Sequence, residues 1–132
     1  MVNTEKVSLN VNIVDLGKID LLIERGIFTN RTDFITRAIY DELEKNGGII
    51  ETVINEQPSG TAMMIGMVSF TVEDLWAIRS KKKIERLYVI GKLIIDDAVP
   101  LELAKEAIKS IRVFGSFKMP DELIGYYFTK GK

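Results

Sequence analysis

The chain has 132 residues, 46% of them hydrophobic and 28% charged, with a formal net charge of −1; it can fill one ordinary core or two small ones, and its composition argues against wholesale disorder. Cysteine and histidine are both absent, which excludes disulfide frameworks, zinc knuckles, thiolate nucleophiles, Cys–His pairs and Ser–His–Asp triads. The start, MVNTEKVSLNVN, lacks the apolar stretch of a signal peptide, and the most apolar window, Ala62 to Phe70, is far too short for a membrane span; a soluble, cytoplasmic protein without membrane contact or cofactor is expected.

Residues 6–13, KVSLNVNI, alternate strictly, with Val7, Leu9, Val11 and Ile13 on one face and Lys6, Ser8, Asn10 and Asn12 on the other. Period two with β-branched residues predicts a half-buried strand. Asp15 to Arg25 follows, with Leu16, Ile19, Leu22 and Ile23 at helical spacing. Arg25 suits the negative end of the helix dipole, and Gly26 supplies a left-handed residue just past the end. Thr29 to Asp33 reads as a second helix start, in which Asn30 caps and Asp33 stands three residues on. Phe34, Ile35, Ala38, Ile39 and Leu43 then recur at about four, giving an amphipathic helix that Gly47 ends.

One strand and two helices cannot close a core alone, because the strand has two unpaired edges and an apolar face with little to cover it. A twofold partner solves both problems: the two strands pair antiparallel, and four helices close over the shared apolar face. The opposite face of such a ribbon is exposed and doubled by symmetry. A two-stranded antiparallel ribbon enters the major groove of B-DNA, where Asn pairs with adenine and Lys donates to guanine. The N-terminus of the second helix offers free N–H groups to a phosphate. Charge opposes this reading, since residues 1–47 carry six basic and eight acidic side chains.

These residues identify a relative. Ile19-Asp20 with Leu22-Ile23, then Gly26-Ile27-Phe28, then Asn30-Arg31-Thr32-Asp33, then Ala38-Ile39 resemble the ribbon-helix-helix family of repressors, related to the Arc and methionine repressors. The resemblance covers about Glu5 to Asn46. It implies that Lys6, Ser8 and Asn10 read bases, and that the backbone at Asn30, Arg31 and Thr32 clamps a phosphate. Two features depart from the family pattern: Asn10 and Asn12 stand where Arg or Thr and then Pro are more usual, and the segment is net acidic.

Past Gly48 the pattern weakens. Ile49 to Ile54 reads as a short strand at most, and Asn55 to Gly60 as a turn, so residues 48–60 are expected to form a linker. Three glycines then stand at near-equal intervals, Gly66, Gly91 and Gly115, within matching apolar alternation. Each marks a strand whose central inward position demands close backbone approach. Helix starts follow at Thr71 to Leu75, Val99 to Leu103 and Met119 to Leu123, with Pro100 or Pro120 and acids in the first turn. A period near 24 with one strand and one helix per unit reads as a short solenoid, akin in plan to leucine-rich repeats but without their consensus. Ile124, Tyr126, Tyr127 and Phe128 cap the stack or pack on a neighbour. Arg79, Lys81, Lys82, Lys83 and Arg86 form a basic cluster suited to a solvated helix end or to flanking phosphates, and Asp96-Asp97 reads as a solvated turn.

The expected fold is therefore α+β: a ribbon-helix-helix domain over 1–47, the linker, and a βα-repeat domain over 61–132. Nothing in the spacing nominates a catalytic or metal-binding constellation, so the chain is expected to be no enzyme. The expected function is that of a homodimeric, sequence-specific regulator of transcription, most simply a repressor. Its partner is double-stranded DNA, and its C-terminal domain builds tetramers or larger assemblies or takes an effector or protein partner. Alternatives are an antitoxin that represses its own operon, and a structural protein whose repeats self-assemble.

Overall fold

In the computed structural model, which describes residues 4–129, residues 4–12 run without strand or helix into α1 (Ile13–Glu24). The strand expected over 6–13 does not form in the single chain, because a strand needs a hydrogen-bonded neighbour and none is present among the described residues of this unit. Val7 and Leu9 consequently stand 78% and 64% exposed. The helix also begins earlier than the alternation implies. Asn12 turns its side-chain oxygen onto the N–H groups of Val14 and Asp15, at 2.9 and 3.3 Å, so it caps α1 and takes Ile13 into the first turn. Asn12 therefore belongs to the helix and not to a strand face.

α1 ends as the sequence requires. Gly26 adopts φ +83°, and the N–H groups of Gly26 and Ile27 reach back to the carbonyls of Ile23 and Leu22, the paired bonds of a Schellman turn. α2 (Arg31–Lys45) starts at Asn30, whose side chain accepts from the Asp33 N–H at 2.7 Å. Asp33 reciprocates one residue further out, accepting from the Thr29 N–H at 2.9 Å.

The expected linker is mostly helical. α2 stops at Asn46, one residue before the glycine pair, and α3 (Gly47–Asn55) opens with Gly47 and Gly48 and carries Ile49, Ile50, Val53 and Ile54. Those positions recur at one, four and five residues, a helical period that a strand reading of Ile49 to Ile54 overlooks. The Asn46 carbonyl accepts from both Ile49 and Ile50 and so serves as the hinge between the two helices.

The chain divides after Glu56 into two units. The second contains a three-stranded, all-parallel sheet, β1 (Thr61–Phe70), β2 (Ile84–Ile95) and β3 (Ile108–Lys118), in that spatial order. α4 (Val72–Lys81) and α5 (Leu101–Ala107) connect the strands, and α6 (Asp121–Ile124) and a wide helical turn, Gly125–Thr129, follow β3. Thr71 and Asp74 form a complete capping box at the start of α4. Leu87, Val89, Leu93 and Ile95 of the central strand are buried with Leu75 of α4 and Ala104 and Ala107 of α5. The helices thus cover one face of the sheet.

The register places Gly66, Gly91 and Gly115 side by side across the sheet. All three hold positive φ, between +119° and +135°, which L side chains rarely adopt. Tyr127 closes this unit from the C-terminal side: its hydroxyl lies 3.0 and 2.7 Å from the carbonyls of Ala104 and Ile108, where α5 gives way to β3. Burial pushes its phenol above the usual tyrosine range. Phe128 stacks on Phe117 at 4.5 Å, so the C-terminal aromatics pack within their own unit.

Candidate nucleic-acid interface

The three residues expected to read bases, Lys6, Ser8 and Asn10, lie exposed on the segment ahead of α1. No helix constrains them, and their spacing of two keeps them on one side of the chain wherever it is extended. Val7 and Leu9 lie between them, apolar and uncovered.

The second cluster forms where α1 ends and α2 begins. Asn30 occupies the Asp33 N–H, and the Asn30 carbonyl accepts from Phe34. Among the described residues, the N–H groups of Arg31 and Thr32 have no hydrogen-bond partner, which leaves two donors at the positive end of the α2 dipole. The Arg31 side chain points elsewhere. Its Nε and Nη2 donate to the two carboxylate oxygens of Asp20 at 3.0 and 2.9 Å, a bidentate clasp from α2 to the middle of α1. That hydrogen bond holds the Asp20 carboxyl below the usual carboxylate range and raises the guanidinium in turn.

Asp33 is lowered too, first by the Thr29 N–H and then by Arg37, whose Nε donates to it at 3.1 Å. Arg37 also lies 5.3 Å from the Phe28 ring centroid, and Phe28 meets Phe34 edge-on at 5.0 Å. The loop between the helices is therefore fixed at several points, and a phosphate arriving there meets amide donors on a rigid element. The sequence located the cap at Asn30. The Asp20–Arg31 clasp escaped it, because residues eleven apart carry no periodic signal.

In the second unit Asp96 accepts from the N–H of Ala98 in a turn, and no group of carboxylates that could hold a metal occurs among the described residues. Of the basic cluster, Arg79 stacks on Trp76 at 3.8 Å and bonds Glu106, while Arg86 donates to Thr61 Oγ1 and to the Ser59 carbonyl. Lys81, Lys82 and Lys83 remain exposed. No helix among the described residues is long and apolar enough to cross a membrane.

These features converge on one family. The chain belongs to the ribbon-helix-helix transcriptional regulator family, whose model matches residues 2–123. The match runs through both units and so extends well beyond the motif residues at the N-terminus. Membership makes the chain a regulator of a class that binds DNA and dimerises. No curated protein and no solved structure matches it.

Proposed function

We propose that the protein is a homodimeric repressor that reads a specific DNA sequence and performs no catalysis, acting in the cytoplasm. The N-terminal segments of two copies pair as an antiparallel ribbon and enter the major groove, with Lys6, Ser8 and Asn10 facing the base edges. The N–H groups at Asn30, Arg31 and Thr32 hold a flanking phosphate. One observation carries this reading. Of the large apolar side chains in residues 4–56, Ile19 alone is buried, while Val7, Leu9, Ile13, Leu21, Ile39 and Leu43 are exposed. A unit so poor in core gains stability only by burying those side chains against a second copy.

The C-terminal unit stacks its strand–helix repeats as a short solenoid and provides a further interface, for tetramers or for an effector or protein partner. Occupying several half-sites at once raises the effective concentration and offsets the acidic balance of the reading unit.

The test is a binding titration of the full chain against the duplex upstream of its own coding sequence and a scrambled duplex, at two salt concentrations. Tighter, salt-sensitive binding to the upstream duplex is expected. Equal affinity for both duplexes, or none at low salt, would overturn sequence-specific repression at that site.

A further inference from the structure

Parallel sheets are ordinarily covered on both faces, yet here α4 and α5 cover only one. The outward positions of β1, β2 and β3, from Thr61, Arg86 and Ser110 upward, carry Arg86, Lys92, Arg112 and Lys118 and not one carboxylate. Among the described residues none of Lys92, Arg112 and Lys118 is in an ion pair. Their neighbours on that face are apolar and aromatic. Ile65 is 68% exposed and Phe114 45%. Tyr88 meets Phe114 edge-on with centroids 6.4 Å apart, and the Arg112 guanidinium lies 4.9 Å from the Phe114 ring centroid.

We infer that this open sheet face is a second nucleic-acid site, one that takes an unpaired strand, independent of the ribbon. Lys92 and Arg112, cations without acidic partners, beside the exposed Phe114 ring and the half-buried Tyr88 match the two halves of a nucleotide: phosphates on Lys92 and Arg112, a base on Phe114 with Tyr88 at its edge. A sheet face that α4 and α5 leave uncovered presents those rings to splayed bases. A duplex keeps its bases stacked inside and would set only phosphates against Ile65 and Phe114. A second copy docked by the same face would bring like charges together. The distribution of charge agrees, since residues 1–56 hold six basic and ten acidic side chains, whereas residues 57–132 hold twelve and nine.

The experiment is fluorescence anisotropy of the full-length protein with a labelled oligothymidine of about 16 nucleotides, at low and moderate salt. Salt-sensitive binding is expected, weakened about tenfold by Phe114→Ala and further by Arg112→Glu, while Asn10→Ala leaves it unchanged. Both sheet variants alter exposed side chains, and unchanged thermal unfolding confirms that they fold. The upstream duplex, titrated in parallel, reports on the ribbon separately. Failure of wild-type protein to bind at low salt, or indifference to both sheet variants, would overturn the site. So would sedimentation showing that Phe114→Ala dissociates a larger assembly, because a second copy would then cover the face.

Discussion

Gly115 stands so close to Gly91 that a Cβ on it would lie 2.0 Å from the Gly91 carbonyl oxygen. The relation repeats one strand earlier, where a Cβ on Gly91 would lie 2.2 Å from the carbonyl oxygen of Gly66. Each glycine thus leaves room for the backbone of the strand before it.

A graded series follows, because Gly66 sits on the first strand and a Cβ there would meet nothing within 4 Å. Gly66→Ala should cost only the strain of positive φ, about 1–3 kcal/mol. Gly91→Ala and Gly115→Ala add a backbone collision and should cost about 4 kcal/mol or more. Urea unfolding of the three variants checks the order. Equal losses at all three positions would place the whole effect in φ.

The Asp20–Arg31 clasp is solvent-exposed, with side-chain exposures of 48% and 57%. Arg31→Ala should therefore lower thermal stability only slightly, because a solvent-screened pair contributes little. If the amides and not the guanidinium hold phosphate, the same variant should leave the salt dependence of duplex binding nearly unchanged. A slope lowered by about one would assign that contact to the side chain.

Both Asp20 and Asp33 have carboxyls lowered below their ordinary range in the folded chain. Their contribution is complete above the unfolded value of about 3.9 and disappears as pH falls through the lower folded values. The first unit should lose helix on acidification below about pH 4, followed by circular dichroism. Asp20→Asn together with Asp33→Asn should reduce stability at neutral pH and flatten that acid transition; an unaltered acid transition would assign it to other carboxylates.

Much of this was legible in the sequence because local chemistry decides it. Gly26 and Asn30 end and begin helices through bonds within a few residues, and the glycine spacing announced strands that lie in register. The α+β class and the family followed from the same short-range signals. Besides the Asp20–Arg31 clasp, two features were not legible. α3 was obscured by Gly47-Gly48, which read as a stop although they begin a helix whose apolar residues have helical spacing. The segment before α1 alternates like a strand, but strand structure is a property of a pair, and Asn12 was claimed by the nearer N–H groups of Val14 and Asp15.

Leu9 lies in the uncovered apolar row of that segment. Leu9→Lys should place charge inside the shared face of a dimer and dissociate it, with loss of helix from the first unit and with the sheet unit intact. Sedimentation equilibrium combined with circular dichroism measures both. A dimer of undiminished affinity would remove Leu9 from the interface.

Lys81, Lys82 and Lys83 end α4 and lead into β2, exposed. Replacing all three by Gln should flatten the salt dependence of duplex binding, by about one for each phosphate that these lysines neutralise. An unchanged slope would leave them as a solvated helix end.

The most direct measurement of base reading by the ribbon is the affinity of Asn10→Ala for the upstream duplex and for a scrambled one. Loss of roughly 1–3 kcal/mol on the upstream site with little change on the scrambled duplex is expected. An equal loss on both, or none on either, would contradict base reading by Asn10 and reduce the ribbon to a dimerisation element.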